Sequence, residues 1–267
     1  MSNGVAAIGD AIAQPCEPQG TGCFRHSHRA VCSYVYRAAP TSVVSAVSAA
    51  DKRSCFSDVS LGDGGAYCFA TVHRHYAMAV RPRMDMVSKI IRNTGSWEAN
   101  IASPGALLKL AAHFSGRPVE LHGGGGTFLD IGSNLGYFSL QFASAGWSVL
   151  AVEPMSHNRR AISLSMCVNP DVGARIRLIS TALTSPASSD GGACILRSSD
   201  ATNIGNGHLS CGAQAKPCTD GEHAVCEEVP LMTLDRLLDG TRPRLAAIDV
   251  VKMDVEGLEC QVGLHWS

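Results

Sequence analysis

The residues best suited to chemistry lie in Asp130–Gly136, Asp-Ile-Gly-Ser-Asn-Leu-Gly, which begins within the apolar run 127–131. Gly132 permits a sharp turn and a close approach of the backbone to a ligand. Asn134 stands where many such loops have glycine, and asparagine tolerates left-handed backbone angles better than most residues. Gly136 would let the following helix pack closely on the sheet. Ligands of open α/β sheets bind beyond the carboxyl end of a strand, so this segment predicts a ligand-binding loop.

A further carboxylate, Glu153, follows Asp130 by 23 residues and closes the apolar run 149–152. Pro154 ends that strand, because proline cannot extend the ladder of hydrogen bonds. A carboxylate at this place can accept hydrogen bonds from two ribose hydroxyls. The loop lacks the G-x-G-x-x-G spacing of NAD sites, and Asp130 would repel a pyrophosphate but attract the sulfonium and ammonium of S-adenosylmethionine. The spacing favours that cofactor; the alternative is a glycine-rich turn with an unrelated surface acid.

Alternating strand and helix patterns position these residues. Short apolar runs, typical of buried parallel strands, lie at 127–131, 149–152, 176–179 and 246–253. Helical periodicity is present at Met86, Ile90 and Ile91, at Leu107, Leu108, Leu110, Ala111 and Phe114, over 137–142, from a cap at Ser156 to Val168, and at Leu231, Leu234, Leu237 and Leu238 behind a cap at Thr233. The Ser-, Gly- and Cys-rich segment 184–226 predicts loops and short strands. This order predicts an α/β fold with a parallel sheet.

Composition limits the class of partner. The chain carries 22 Lys and Arg against 23 Asp and Glu, so nothing predicts a nucleic acid or an anionic membrane as partner. A small neutral or zwitterionic molecule fits better. No apolar run approaches the ~20 residues that span a bilayer, and the start lacks a signal-peptide pattern. We therefore expect a cytoplasmic protein, although Arg25, Arg29 and Arg37 in an acid-poor start are compatible with an organellar transit peptide.

The eleven cysteines show no repeated spacing and no C-x-x-C pair. An odd number without such a framework predicts reduced thiols rather than disulfides. Cys23, His26, His28 and Cys32 match no closed zinc pattern. No other segment supplies a metal-ligand set of its own, so no metal site is predicted.

Several short motifs occur in the order typical of one enzyme family. They are Gly95-Ser96-Trp97-Glu98, D-I-G-S-N-L-G-Y-F-S at 130–139, Glu153-Pro154, Thr233-Leu234-Asp235, and K-M-D-V-E-G-L-E at 252–259. Asn158 and Asn169 also stand where that family tends to have asparagine. Over roughly 85–262 the chain resembles the FkbM family of class I S-adenosylmethionine-dependent methyltransferases. The resemblance implies a Rossmann-like sheet of parallel strands with flanking helices.

The resemblance also implies a reaction, the transfer of a methyl group from S-adenosyl-L-methionine to a hydroxyl of a sugar or other small metabolite. Such an enzyme mainly aligns two reactants, and a base that accepts the hydroxyl proton adds to the rate. By position, the residues implied to bind the cofactor are Asp130, Gly132, Ser133, Asn134, Gly136 and Glu153.

The family signature implies catalytic roles for Asp254, Lys252 and Glu256. Asp254 ends the fourth strand, next to the first, so we expect it to face the reacting centre as a base or substrate ligand. Lys252 and Glu256 would alternate with it on one strand face. The alternative is a structural role, in which the two pair with each other or Lys252 pairs with an acid. His157 is a further candidate for the base. The loop 201–205 resembles a family loop, or is an ordinary turn.

The chain divides near residue 83. Residues 1–83 predict an irregular or disordered extension, and 84–267 predict a methyltransferase domain that is incomplete, because the chain ends soon after its fourth strand. An unpaired edge beside that strand predicts low stability and weak activity. A catalytically inactive remnant or binding module that keeps the cofactor loop is therefore the alternative to an active enzyme. The acceptor and the oligomeric state are not specified by the sequence.

Overall fold

A mixed sheet carries the residues predicted to act in chemistry. The protein is represented by a computed structural model, which describes residues 32–34, 67–72, 76–81, 85–97, 104–115, 125–185, 194–199, 202–212, 215–219, 225–240, 248–259 and 262. In chain order the strands are β1 (Cys32–Tyr34), β2 (Cys68–Val72), β3 (Tyr76–Val80), β4 (Thr127–Ile131), β5 (Ser148–Val152), β6 (Ile176–Ile179), β7 (Ala182–Leu183), β8 (Cys194–Ser198), β9 (His208–Cys211), β10 (Val225–Val229), β11 (Leu231–Met232) and β12 (Val250–Met253). The helices are α1 (Met86–Thr94), α2 (Pro104–Ser115), α3 (Tyr137–Ser144), α4 (Ser156–Val168), α5 (Pro170–Gly173) and α6 (Leu234–Gly240).

Within these residues the main sheet has the order β1-β12-β4-β5-β6. Strands β12, β4, β5 and β6 run parallel, which confirms the predicted α/β fold. They coincide with the four predicted strands, although β12 begins only at Val250. The chain moves from β4 to β5 and β6 on one side, and β12 returns on the other. Strand order therefore reverses at β4 and opens a crevice at its carboxyl end, the usual ligand position in such sheets.

The parallel strands read as continuous apolar runs because both of their faces are covered. Successive side chains point to opposite faces of the sheet. Phe128 and Val149 accordingly belong to one hydrophobic cluster, and Leu129 and Leu150 to another. Helix α3 packs on the first face, where Phe142 stacks on Phe128 with 3.9 Å between the ring centroids. This two-sided packing buries β4 and orients the loop that follows it.

A hairpin of β2 and β3 lies in the segment predicted to be irregular. Val72, Met78 and Val80 are buried in the same cluster as β4. The Ala77 N–H donates to Asn169 Oδ1 at 3.0 Å, and Asn169 Nδ2 donates to the Ala77 carbonyl at 2.6 Å. The prediction of irregular structure is therefore wrong for this hairpin, because its strands are held by contacts with residues far along the chain, such as Asn169. The domain boundary near residue 83 stays a prediction.

The outer edge of β12 is paired rather than open. Strand β1 lies antiparallel to it, with Cys32 opposite Met253 and Tyr34 opposite Val251. The expectation of an unpaired edge beside the fourth strand is therefore wrong over these residues. Sequence pattern could not reveal the pairing, since the two strands are far apart along the chain. The expected low stability stays a prediction.

Of the three residues predicted to form the apolar face of helix α1, Met86, Ile90 and Ile91, the helix buries Ile91. Val87 and Ile91 are buried, whereas Met86 and Ile90 are 43% and 36% exposed. The helix does have apolar periodicity, but the side chains that pack in one cluster with the hairpin are Val87 and Ile91.

Two helix starts also differ from the sequence prediction. Helix α4 is capped by Met155, without a side-chain hydrogen bond, so the predicted cap at Ser156 is wrong. Leu231 lies in β11 instead of the last predicted helix. The cap at Thr233 is confirmed, because its Oγ1 accepts the Arg236 N–H at 3.2 Å.

The Ser-, Gly- and Cys-rich segment contains a second sheet. Strands β10, β8 and β9 pair antiparallel in that order. Disulfides join Cys194 to Cys211 and Cys218 to Cys226, and Cys167 is disulfide-bonded as well. The expectation of reduced thiols is therefore wrong for these five cysteines. Strand pairing, and not spacing along the chain, brings Cys194 beside Cys211.

Among the described residues, no helix is both long and apolar enough to cross a bilayer. Those residues also contain no group of three or more His, Cys, Asp and Glu that could hold a metal ion. Of the four residues considered for a zinc site, Cys23, His26 and His28 lie outside the described residues.

Candidate active site

Three positions of the loop after β4 have positive φ: Gly132 (+74°), Asn134 (+52°) and Gly136 (+84°). A Cβ on Gly132 would lie 1.9 Å from the carbonyl oxygen of Asp254. The sharp turn predicted at Gly132 is present, but the group that crowds it is the end of β12. A Cβ on Gly136 would meet Ile162 of α4 at 2.9 Å, so its small size serves contact between α3 and α4, and not the predicted contact with the sheet.

Glu153 ties this loop to the end of β5. Its Oε2 accepts the Asn134 N–H at 2.7 Å, and its Oε1 accepts the Met155 N–H at 2.9 Å. The Asn158 amide nitrogen donates to the same Oε1 at 3.3 Å. A carboxylate has about four lone-pair sites, so the two oxygens keep acceptor capacity for a ligand.

Burial makes this carboxyl group unusually basic. Glu153 is 4% exposed, and burial raises its pKa to about 7, because a charge is costly away from water. Hydrogen bonds from Met155, Asn134 and Asn158 and the charge of Lys252 lower the pKa in part. The group thus changes protonation state near neutral pH.

Lys252 supports the loop from β12. Its Nζ donates to the Gly132 carbonyl at 2.8 Å and lies 3.6 Å from Asp130 Oδ1 and 3.7 Å from Asp254 Oδ2. Asp130 is fully buried, and its Oδ2 accepts the Ser139 hydroxyl at 2.6 Å. Of the two roles considered for Lys252, the structure has the pairing with acids.

A pocket of about 860 Å³, counting its open mouth, lies at the carboxyl ends of β4, β5 and β12. The predicted site residues in its wall are Gly132, Asn134, Glu153, Asp254 and Glu256. The predicted site residues outside its wall are Asp130, Ser133, Gly136, Lys252 and His157. The structure thus brings half of the predicted site residues to the wall of one cavity and leaves the other half outside that wall. Direct contact of either group with the cofactor stays a prediction.

Asp254 and Glu256 do not share a strand face as predicted. Asp254 follows β12 directly, and its side chain is 28% exposed. Glu256 lies in a turn with φ of +54°, so the alternation expected of a strand ends before it. With its nitrogen facing Glu256, the Asn206 amide donates to both carboxylate oxygens at 2.6 and 2.7 Å.

Comparison with known families agrees with these features. Residues 130–262 match the family described as the methyltransferase FkbM domain. The chain belongs to the FkbM methyltransferase family. The match starts at Asp130 of the loop and extends past Glu256, so it includes the β4, β5 and β12 ends that form the pocket.

A comparison with solved structures adds a distant likeness. The glycopeptide N-methyltransferase MtfA, in complex with S-adenosyl-L-homocysteine, is 11% identical, with a TM-score of 0.22 over 63% of this chain and 96% of that one. At that score the likeness carries no argument. A comparison with curated proteins found no match.

One wall of the FkbM pocket was not predicted. It comes from β8, β9 and the preceding loop, which contribute Leu196, Gly205, Gly207, His208 and Leu209. The resemblance to a family loop at 201–205 was the only signal in the sequence. A Cβ on Gly205 would lie 2.5 Å from the Asn134 side chain, so this loop closes directly on the loop after β4.

The FkbM pocket suits a nucleoside with a cationic tail. Its wall combines apolar side chains, such as Met155 and Leu196, with the carboxylates of Glu153, Asp254 and Glu256. No lysine or arginine lines it among the described residues. A pyrophosphate would meet acids there and no cation, whereas a sulfonium and an ammonium would be attracted.

Proposed function

We propose that this chain uses S-adenosyl-L-methionine to methylate a hydroxyl oxygen on a small metabolite or sugar, with Asp254 as general base. One observation carries the proposal: Glu153 and Asp254 follow strands on either side of β4 and line the same pocket. Those strands are two strand spacings apart, roughly 10 Å. One carboxylate can therefore contact the cofactor while the other contacts the acceptor.

The loop and Glu153 would hold the cofactor. When bound, the cofactor supplies a methyl group on a sulfonium that is already activated for displacement. Glu153 would accept a hydrogen bond from a ribose hydroxyl with the acceptor site that Asn134, Met155 and Asn158 leave open. The backbone at Gly132 and the carboxylate of Glu256, which also lines the pocket, would lie along the cationic tail. These contacts align the methyl group with an acceptor.

Asp254 would accept the proton of the acceptor hydroxyl. Its carboxylate is partly exposed in the pocket and lies 3.7 Å from Lys252 Nζ, which restrains its position without blocking it. A positioned general base typically contributes about 10²–10⁴-fold in rate. Asp254→Asn should therefore lower methyl transfer by about that factor while cofactor affinity changes little.

The test is calorimetric titration of the full chain with S-adenosyl-L-methionine, followed by transfer of labelled methyl to a panel of hydroxyl compounds. Glu153→Ala should abolish binding or weaken it more than tenfold. Glu228→Ala, which removes an exposed glutamate on β10, should leave binding unchanged. A folded wild-type chain that binds no cofactor would contradict the proposal and favour the inactive remnant.

A further inference from the structure

A line of buried polar groups runs from Glu153 away from the pocket. Asn158 Nδ2 donates to Glu153 Oε1 at 3.3 Å, and Arg81 Nη2 donates to Asn158 Oδ1 at 2.8 Å. Arg81 Nη1 in turn lies 3.7 Å from Asp85 Oδ1. None of these four residues is more than 8% exposed. Their contacts therefore operate with little competition from water.

The chemistry of arginine determines how the Asn158 amide is oriented within this line. A guanidinium has donors and no acceptor, so the amide of Asn158 must turn its oxygen towards Arg81. Its nitrogen is then the group that faces the carboxylate of Glu153. Without Arg81, the amide would be free to rotate and present its oxygen to that carboxylate, which would repel it.

Arg81 is itself fixed in place. Its backbone N–H donates to Ser88 Oγ at 3.0 Å, and Asp85 Oδ2 accepts the Ser88 N–H at 2.9 Å. Strand β3, which ends just before Arg81, is docked on α4, where the Ala79 N–H donates to Ser165 Oγ at 2.8 Å. Arg81 thus joins the hairpin, α1 and α4 at one point.

We infer that Arg81 is a positioning residue of the cofactor site, which acts through the amide of Asn158 to orient the carboxylate of Glu153. The cofactor contact of Glu153 rests on the proposed function, whereas the orientation of the carboxylate does not. Arg81 lies outside residues 130–262, which match the family. The site therefore extends into the N-terminal hairpin.

Charged groups reach Glu153 from several elements. Lys252 of β12 attracts its carboxylate, and Arg159 of α4 donates to its backbone carbonyl at 3.3 Å. The other ionisable residues that line the pocket are His208, Asp254 and Glu256. Since the hydrogen bond from Asn158 lowers the pKa of Glu153, loss of that bond should raise the pKa further.

The test is carboxyl NMR of the full chain labelled with ¹³C-glutamate, with the Glu153 signal assigned through Glu153→Gln. Arg81→Met removes the donor to the amide. Asn158→Asp keeps an acceptor for Arg81 but turns a carboxylate oxygen towards Glu153. Both should raise the titration midpoint of Glu153 and weaken affinity for S-adenosyl-L-homocysteine roughly tenfold, the equivalent of one hydrogen bond. The matched control Arg236→Met, at an exposed position of α6, should change neither.

An unchanged Glu153 midpoint in folded Arg81→Met would overturn the inference, because that variant removes the donor to the Asn158 amide. If Arg81→Met does not fold, Arg81→Gln decides by the same measurement, because its shorter polar side chain also removes the guanidinium donor. If the wild-type chain binds no cofactor product, the proposed function fails, while the titration of Glu153 still decides the role of Arg81.

Discussion

Replacing Gly132 with alanine should both destabilise the fold and displace the candidate base. The new Cβ would lie 1.9 Å from the Asp254 carbonyl oxygen, whereas carbon–oxygen contacts normally lie at about 3.3–3.6 Å. One backbone segment would have to move by roughly 1.5 Å, and overpacking of this kind costs about 1–3 kcal/mol. The left-handed backbone, with φ of +74°, adds about 1–2 kcal/mol for a residue with a side chain. The expected loss is about 2–5 kcal/mol.

Gly212→Ala is the matched control. Gly212 has φ of +65°, but nothing lies within 4 Å of its ideal Cβ, so it should lose only the backbone contribution, about 1–2 kcal/mol. Urea unfolding followed by circular dichroism, without reductant, measures both free energies of unfolding. Equal losses in the two variants would refute the steric argument and with it the close contact of the loop with the end of β12.

Three more outcomes follow from the contacts around the site. Burial raises the pKa of Glu153 in the folded state to about 7 from its ordinary value of 4.5. This group should therefore destabilise the wild type relative to Glu153→Gln as pH rises from about 4.5 to 7, by up to roughly 3 kcal/mol; parallel pH profiles of unfolding would contradict this. Lys252→Met leaves the buried Asp130 without its cation and should cost about 3–5 kcal/mol. Adding Asp130→Asn should recover part of that loss, so strictly additive losses in a double-mutant cycle would argue against the pair. Asn169→Ala removes two hydrogen bonds to Ala77 and should cost about 1–3 kcal/mol, with faster hydrogen exchange at Ala77; unchanged exchange there would mean that the hairpin does not depend on this contact.

Local pattern was enough for the parts of the fold whose signal is local. The apolar runs at β4, β5 and β6 are continuous because both faces of each strand are buried, and that property is visible without knowing the neighbours. The loop at 130–136 was likewise predictable, since glycine and asparagine mark the positions where φ is positive. The same motifs were sufficient to identify the family.

Pattern failed where a residue's role depends on a distant partner. Periodicity in α1 could not say whether Ile90 or Ile91 is buried, because that depends on what packs against the helix. The strands of the hairpin are held by residues far along the chain, such as Ser165 and Asn169, and no local pattern shows those contacts. Cys194 and Cys211 meet only because β8 and β9 pair, so counting cysteines could not predict the disulfide.

The sequence by itself determined the parallel sheet, the ligand loop, the acid after the second strand and the family. Only the tertiary structure decided which of the predicted residues reach the pocket. Asp130 and Glu153 are both carboxylates at strand ends, yet Asp130 is sealed behind the loop with Lys252, and Glu153 faces the cavity. The physical reason is that a buried charge needs partners. Asp130 takes its cation from Lys252 of β12, far along the chain, whereas Glu153 is held by the nearby Asn158, whose amide is in turn bound by the distant Arg81.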